Sequence, residues 1–250
     1  MNRAIVAVLA IHFDTPAREA ITRLTCERLL WQTVPINVVV VGDSDAEYRM
    51  AKETGCLYVQ HKNLPLSEKY QAGIDYARKL NPLAIVTTGS DSWLTDDYCR
   101  IGYDYMMRNH LDVTGKSVFN VLNVETGEVI ARGYQGSRAS EPDGNGRMIT
   151  AAGMDKLNWK LYPDGGNVNG IDHASHQICL KAGLHVGLMN EIEKVKVLEL
   201  KSSRWHSTNS FQTLSTAASL AHGYEISDGR TWMNHWFPGG LAGLYVLNHG

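Results

Sequence analysis

The apolar positions of this chain fall first into short, almost unbroken runs and only later into alternating spacings. Residues 4–11 form one such run, long enough for a buried strand but far short of the ~20 residues of a membrane span. Thr15-Pro16 then reads as a helix cap followed by proline, and Ala17, Ala20, Ile21 and Leu24 give the next helix its apolar face. Residues 36–41 are a second continuous run, closed by Gly42-Asp43. Ser44-Asp45-Ala46-Glu47 has the spacing of a capping box, and the helix it opens should stop at Gly55. Residues 57–60 predict a short third strand, and after a loop over 61–66 a helix is expected over 67–80, ended by Asn81-Pro82. Residues 84–89 form the fourth strand. They run into the polar turn Gly89-Ser90-Asp91-Ser92, with Thr95 as the expected cap of a helix reaching about Asn109.

Strands without alternation are buried on both faces, so four such strands separated by helices predict a parallel sheet with helices on each side. In a doubly wound order 3-2-1-4, Asp14, Asp43 and Asp91 all reach the rim at the carboxyl ends of the strands, where open sheets of this class bind ligands. Neither G-x-G-x-x-G nor G-x-x-x-x-G-K-[ST] follows the first strand, so a bound nucleotide would be held by acids and a cation rather than by a glycine cradle. Asp91 is the first candidate for a metal or diphosphate contact, since Mg²⁺ and Mn²⁺ take one or two carboxylates plus substrate phosphates. Capping its own turn is the equal alternative.

After residue 110 the pattern changes. Residues 116–124 and 129–134 predict a hairpin around Gly127, and 135–146 a long Gly- and Ser-rich loop. A short helix is expected over 154–161. A Gly- and Asn-rich stretch leads to another helix, opened by Gly170-Ile171-Asp172 and ending at Gly183. Residues 194–200 alternate as a strand, 201–209 form a polar turn, and 210–221 a helix. The tail carries Trp232, Trp236 and Phe237 and is left unassigned.

Composition narrows the classes without choosing among them. Hydrophobic residues make up 44% and charged residues 20%, ordinary values for a globular protein. A net charge of -2 gives no general reason to expect nucleic acid or an anionic membrane as partner. The four cysteines are far apart and form no C-x-x-C pair, which argues against a zinc ribbon and for buried thiols in a reducing cytoplasm.

Several stretches resemble, in order and spacing, the GT-A-fold glycosyltransferases of the family-2-like kind. They are Val40-Val41-Gly42-Asp43, the segment Asn63-Leu64-Pro65-Leu66-Ser67-Glu68-Lys69, Gly89-Ser90-Asp91-Ser92, Gly144-Asn145-Gly146-Arg147 and Gly170-Ile171-Asp172-His173. The third resembles a degenerate D-x-D motif in which Gly89 replaces the first acid. The resemblance spans roughly residues 4–206. It implies one Rossmann-like α/β domain over 1–250, with a nucleotide-sugar-binding half over 1–110, an acceptor-binding half over 111–209 and an aromatic tail over 210–250.

The same resemblance implies a metal-dependent transfer from a nucleoside diphosphate sugar, with uridine as the expected base, to an acceptor hydroxyl. The acceptor is unspecified: a glycan, a protein, a small molecule or a modified nucleobase. Asp43 would contact the base, and Mn²⁺ or Mg²⁺ would sit on Asp91 and His206. The wider donor-binding set is His12, Asp14, Asp43, Asn63, Lys69, Ser90, Asp91, Arg147 and Arg204. Asp172 would be the general base of an inverting displacement, provided burial offsets the helix dipole that favours its ionised form. Its plain alternative is a helix cap. Three rivals stand beside this reading. Asp172-His173-x-x-His176 has a zinc-compatible spacing. A sugar nucleotidylyltransferase would share the sheet, and a binding module would stack sugars or bases on Trp232 and Trp236.

Overall fold

The structure, a computed structural model, describes residues 3–165, 170–202, 224–226 and 228–240. Its first half alternates as the hydrophobic runs predict: β1 (Ile5–Ala10), α1 (Pro16–Leu30), β2 (Ile36–Gly42), α2 (Asp45–Thr54), β3 (Leu57–Gln60), α3 (Leu66–Lys79) and β4 (Ala84–Gly89). Thr15 accepts from the Arg18 amide to start α1, the Ser44–Glu47 capping box is formed at α2, and Gly55 ends α2 at φ 80°. The four strands are parallel in the order β3-β2-β1-β4. Alternation along β1 sorts its side chains between layers. Ile5, Ala7 and Leu9 face Cys26 and Leu29 of α1 and Met50 of α2, while Val6 and Val8 face Ile74 and Ala77 of α3.

The second half continues with β5 (Ser92–Leu94), α4 (Tyr98–Arg108), β6 (Val113–Gly115), β7 (Val118–Asn123), β8 (Val129–Gly133), β9 (Arg147–Thr150), α5 (Ala151–Lys156), α6 (Ile171–Lys181), β10 (Val186–Leu188), β11 (Val197–Lys201), β12 (Tyr224–Ile226) and α7 (Gly229–Trp236). The central sheet grows to seven described strands, β10-β6-β9-β4-β1-β2-β3, because β9 adds antiparallel to β4. A second sheet, β12-β8-β7-β11-β5, contains the expected hairpin β7–β8. Trp93 of β5, Leu198 and Leu200 of β11, Ile21 of α1 and Met233 of α7 share one apolar cluster with Phe237. Trp232 and Trp236 pack against it, so the described tail tryptophans pack on their own domain.

Three local expectations change. The helix expected from Thr95 begins at Tyr98, because 92–94 pair with β11 and the Thr95 hydroxyl accepts from the Lys196 amide at 3.2 Å. The helix expected over 154–161 lies at 151–156. Thr150 caps it through the Gly153 amide, and Asn158 and Trp159 take positive φ of 50° and 63°. Strand β11 runs one residue past its expected end, which puts Lys201 in a buried strand rather than a polar turn. The helix expected over 210–221 lies outside the described residues. No described helix is long and apolar enough to cross a membrane, and all four cysteines are buried free thiols.

Gln71 of α3 fastens the segment that leads towards Asp172. Its side chain donates to the Trp159 carbonyl at 2.7 Å and accepts from the Leu161 and Tyr162 amides at 3.1 and 3.2 Å. Gln71→Leu keeps the bulk but leaves three buried backbone groups without a partner, so urea unfolding should show a loss of about 2–4 kcal/mol. A loss under about 0.5 kcal/mol would mean that water replaces the side chain.

Candidate active site

The candidate residues divide into three groups along the rim. At the ends of β1 and β2, His12 Nδ1 lies 3.7 Å from both Asp43 Oδ1 and Glu47 Oε1. Glu47 is fully buried. Its oxygens accept from the amides of Phe13 (2.9 Å), Asp43 (2.6 Å) and Ser44 (3.1 Å), so it shapes the backbone under the rim while His12 and Asp43 remain exposed. Lys69 is buried below, donating to the Ile11 carbonyl and, at 3.0 Å, to Asn63 Oδ1. Burial lowers its pKa, with the acids Glu47 and Asp43 acting the other way. Lys69 and Asn63 therefore brace the loop instead of facing the rim as free donor contacts. Asp14 is exposed in the turn before α1.

The second group is centred on Asp91, buried between β4 and β5 beside buried Ser90. Asp91 Oδ2 accepts from Lys201 Nζ at 3.0 Å and lies 3.3 Å from Arg18 Nη1. Burial opposes its ionisation, yet the Lys201 ammonium and the Arg18 guanidinium hold the carboxyl down to about 2. Lys201 also meets Glu199 Oε2 at 3.2 Å, and the two acids raise its pKa against the effect of burial. Asn145 joins this group to the third. It accepts from the Gly89 amide at 2.7 Å and donates to Glu199 Oε1 at 2.8 Å. A Cβ on Gly89 would come within 2.9 Å of the Asn145 Oδ1, so Asn145 fills the space beside the missing first acid of the motif.

The third group gathers at the start of α6. The Asp172 carboxylate sits so close to the Gly144 Cα that a Cβ there would lie 2.1 Å from Oδ1. Burial raises the Asp172 pKa, Arg147 opposes it and Glu141 adds to it. The cap of α6 is Gly170 in the left-handed region, φ 82°, so Asp172 is not the N-cap. Arg147 is buried and donates to the Pro142 and Asp172 carbonyls and the Ser175 hydroxyl. Its expected role as a free cation for the donor gives way to a strut between loop and helix. His173 lies 2.8 Å from Glu141 Oε2, and Arg138 donates to both oxygens of the same carboxylate. His176 is buried, and burial followed by Arg147 lowers its pKa. No third metal-binding side chain joins these two histidines among the described residues, where the one such group of three is His12, Asp43 and Glu47.

The donor set at Asp91 fits a divalent cation poorly. Such an ion takes one or two carboxylates besides waters and substrate phosphates, but among the described residues Asp91 Oδ2 already carries two cations, Glu199 is turned to Lys201 and Asn145, and Asp143 is turned to Tyr134 and Asn145. His206, the other expected ligand, and Arg204 lie outside the described residues. Sequence reasoning missed Arg18, Lys201, Glu199, Asp143 and Tyr134. The signal for Lys201 and Glu199 was present in the alternation of Glu199-Leu200-Lys201, which places both on one face of a strand.

The central sheet with its added antiparallel strand and second sheet is the GT-A glycosyltransferase fold. It matches the structure of Staphylococcus aureus TarS residues 1–349 in complex with UDP-GlcNAc, with TM-score 0.62 and 12% identity over 81% of this chain and 60% of that one. The same TarS fragment in complex with UDP matches with TM-score 0.57 at 12% identity, over 79% and 60% of the two chains. A further crystal structure of S. aureus TarS matches with TM-score 0.56 at 11% identity, over 79% of this chain and 36% of that one. The chain thus spans about 60% of the TarS fragment's length. No family model matches the chain, and no curated protein matches it by sequence.

Asp143 gives the site a pH signature. It accepts from the Tyr134 hydroxyl at 2.6 Å and the Asn145 amide at 2.7 Å, while burial, with Glu199 and Asp172 nearby, pushes its pKa to about 7. Unfolded, it would ionise near 3.9. Between these values the folded chain binds more protons, so its stability falls as pH rises from about 4 to about 7. Asp143→Asn should remove that slope. Its melting temperature relative to wild type should rise between about pH 5 and about pH 7.5, and an equal shift at both would contradict the assignment.

Proposed function

We propose that this chain is a glycosyltransferase that moves a sugar from a nucleoside diphosphate, most simply a UDP-sugar, to an acceptor hydroxyl. The observation that carries this reading is the separation of charge across the rim. A cation pair on Asp91 stands at the end of β4, and a desolvated carboxylate, Asp172, stands at the start of α6 against Gly144, the neighbour of the Asn145 that holds Gly89. The fold shared with TarS, whose structures hold UDP-GlcNAc and UDP, supports the same assignment of the rim.

In this reading the nucleoside lies over β1 and β2, with Asp43 and His12 at the base or ribose and the diphosphate towards Asp91. Asp172 takes the proton of the acceptor hydroxyl as that oxygen bonds to the anomeric carbon. The bond from that carbon to the diphosphate oxygen breaks, and its electron pair leaves with the diphosphate. One direct displacement inverts the anomeric centre. Burial gives Asp172 a raised proton affinity, which suits a base, and the carboxylate needs no rearrangement to face the loop over 141–146. The growing charge on the leaving group requires positive charge at the end of β4. Either a divalent cation such as Mn²⁺ or Mg²⁺ brought to Asp91, or the resident Lys201–Arg18 pair, would supply it, and the donor set favours the pair.

Asp172→Asn retains the size of the side chain, so the fold should survive while transfer falls by about 10²–10⁴-fold. The dissociation constant for the nucleotide sugar should move less than about threefold. Single-turnover assays with a hydrolysed or transferred UDP-sugar, paired with calorimetry, read both numbers. Near-normal turnover would remove Asp172 from the role, and proton NMR of the product tests inversion independently.

Asp43→Ala should weaken uridine and UDP alike, by about tenfold, because an exposed acid at the end of β2 loses a hydrogen bond to the nucleoside. A loss confined to UDP would place Asp43 with the diphosphate instead.

A further inference from the structure

The position that would hold the first acid of a metal-binding pair is built for something else. Gly89 gives its amide to Asn145, and the Asn145 side chain fills the space beside it. Asn145 in turn holds Glu199, which with Asp91 fixes the ammonium of Lys201. Lys201 is a buried cation with three N–H donors, two of which go to Asp91 and Glu199. Arg18 reaches the same Asp91 oxygen from α1 through one guanidinium nitrogen and is half-buried. Among the described residues, two carboxylates and two cations thus meet at the end of β4.

We infer that Lys201 and Arg18 are the diphosphate-binding cations of this site, so that nucleotide binding needs no divalent ion. The inference rests on the nucleotide-sugar reading above. Its physical basis is a choice between two ways of placing positive charge. A divalent ion on Asp91 would sit beside a buried ammonium and a guanidinium, and repulsion in a medium of low dielectric weakens its hold. The resident pair needs no recruitment. An ammonium serves as a point charge for phosphate and a guanidinium as a planar fork, which together match the geometry of a diphosphate. Asp91 and Glu199 are then positioning residues that keep Lys201 charged and aimed, a different use of the acid from metal ligation.

Calorimetric titration of UDP into the whole chain, once with EDTA and once with millimolar MnCl₂, decides between the two. The dissociation constants in the two buffers should agree within about threefold. A loss of more than about tenfold on chelation, recovered with Mn²⁺, overturns the inference while leaving the nucleotide-sugar reading in place. Failure of UDP and other nucleoside diphosphates to bind in either buffer overturns that reading, and the inference with it. Lys201→Met should weaken UDP by at least about tenfold in EDTA, and part of the loss should return with Mn²⁺, which then meets Asp91 with one cation fewer beside it. A folded Lys201→Met chain that binds UDP in EDTA as wild type does also overturns it. Should that variant fail to fold, Arg18→Gln, at a half-buried position, is expected to weaken UDP by about three- to tenfold in EDTA, and an unchanged constant would count against the pair.

Discussion

The ion pair between Asp91 and Lys201 lies at the seam of the two sheets. Asp91 stands where the chain leaves β4 of the central sheet for β5 of the second, and Lys201 ends β11, the strand paired with β5. The Asp91 carbonyl accepts from the Leu200 amide at 2.8 Å, so a backbone bond runs beside the side-chain pair. Charges this deep are tolerated only in company, and each here has a second partner, Arg18 for Asp91 and Glu199 for Lys201. The pair therefore fixes how β11 meets the end of β4, and with it where Glu199, Asn145 and Gly89 stand.

The antiparallel insertion of β9 does the corresponding work for the acid on the other side of the rim. β9 pairs with β4 from Ala84–Thr150 to Thr87–Arg147, which brings the turn Gly144-Asn145-Gly146 to the end of β4. Gly146 needs its positive φ of 84° to enter the strand, and Gly144 needs to lack a side chain because the Asp172 carboxylate occupies that space. Arg147 at the start of β9 then bonds the first turn of α6. This strand and the turn before it thus tie the residue proposed as base to the cations proposed for the leaving group, Arg147 through its bonds to α6 and Asn145 through Glu199.

The aromatic tail closes the opposite side of the seam. Arg28 lies over the adjoining rings of Trp93 and Phe237, 5.2 Å from each centroid, and pairs with Asp96 at 2.8 Å. Burial lowers its pKa and Asp96 opposes the shift. The cation over two rings fastens the end of α7 to α1 and β5. The tryptophans that a sequence reader would offer to a sugar are used as packing.

The chain's own order of residues determined the parallel half, because each signal there is local. Continuous apolar runs make buried strands, and Thr15, Ser44 and Gly55 act within a turn of where they stand. Asp43 and Asp91 were legible for the same reason: an acid directly after such a strand must reach the rim. What only the tertiary structure decided is the company each acid keeps. The partners of Asp91 lie 73 and 110 residues away at Arg18 and Lys201, and the neighbour of Asp172 is the bare backbone of Gly144. Four-residue β9 and three-residue β6 and β10 are too short to show a period, so nothing local announces that they extend the sheet. Whether a lysine is a solvated turn residue or a buried counter-ion depends on the register between distant strands, which no local pattern encodes.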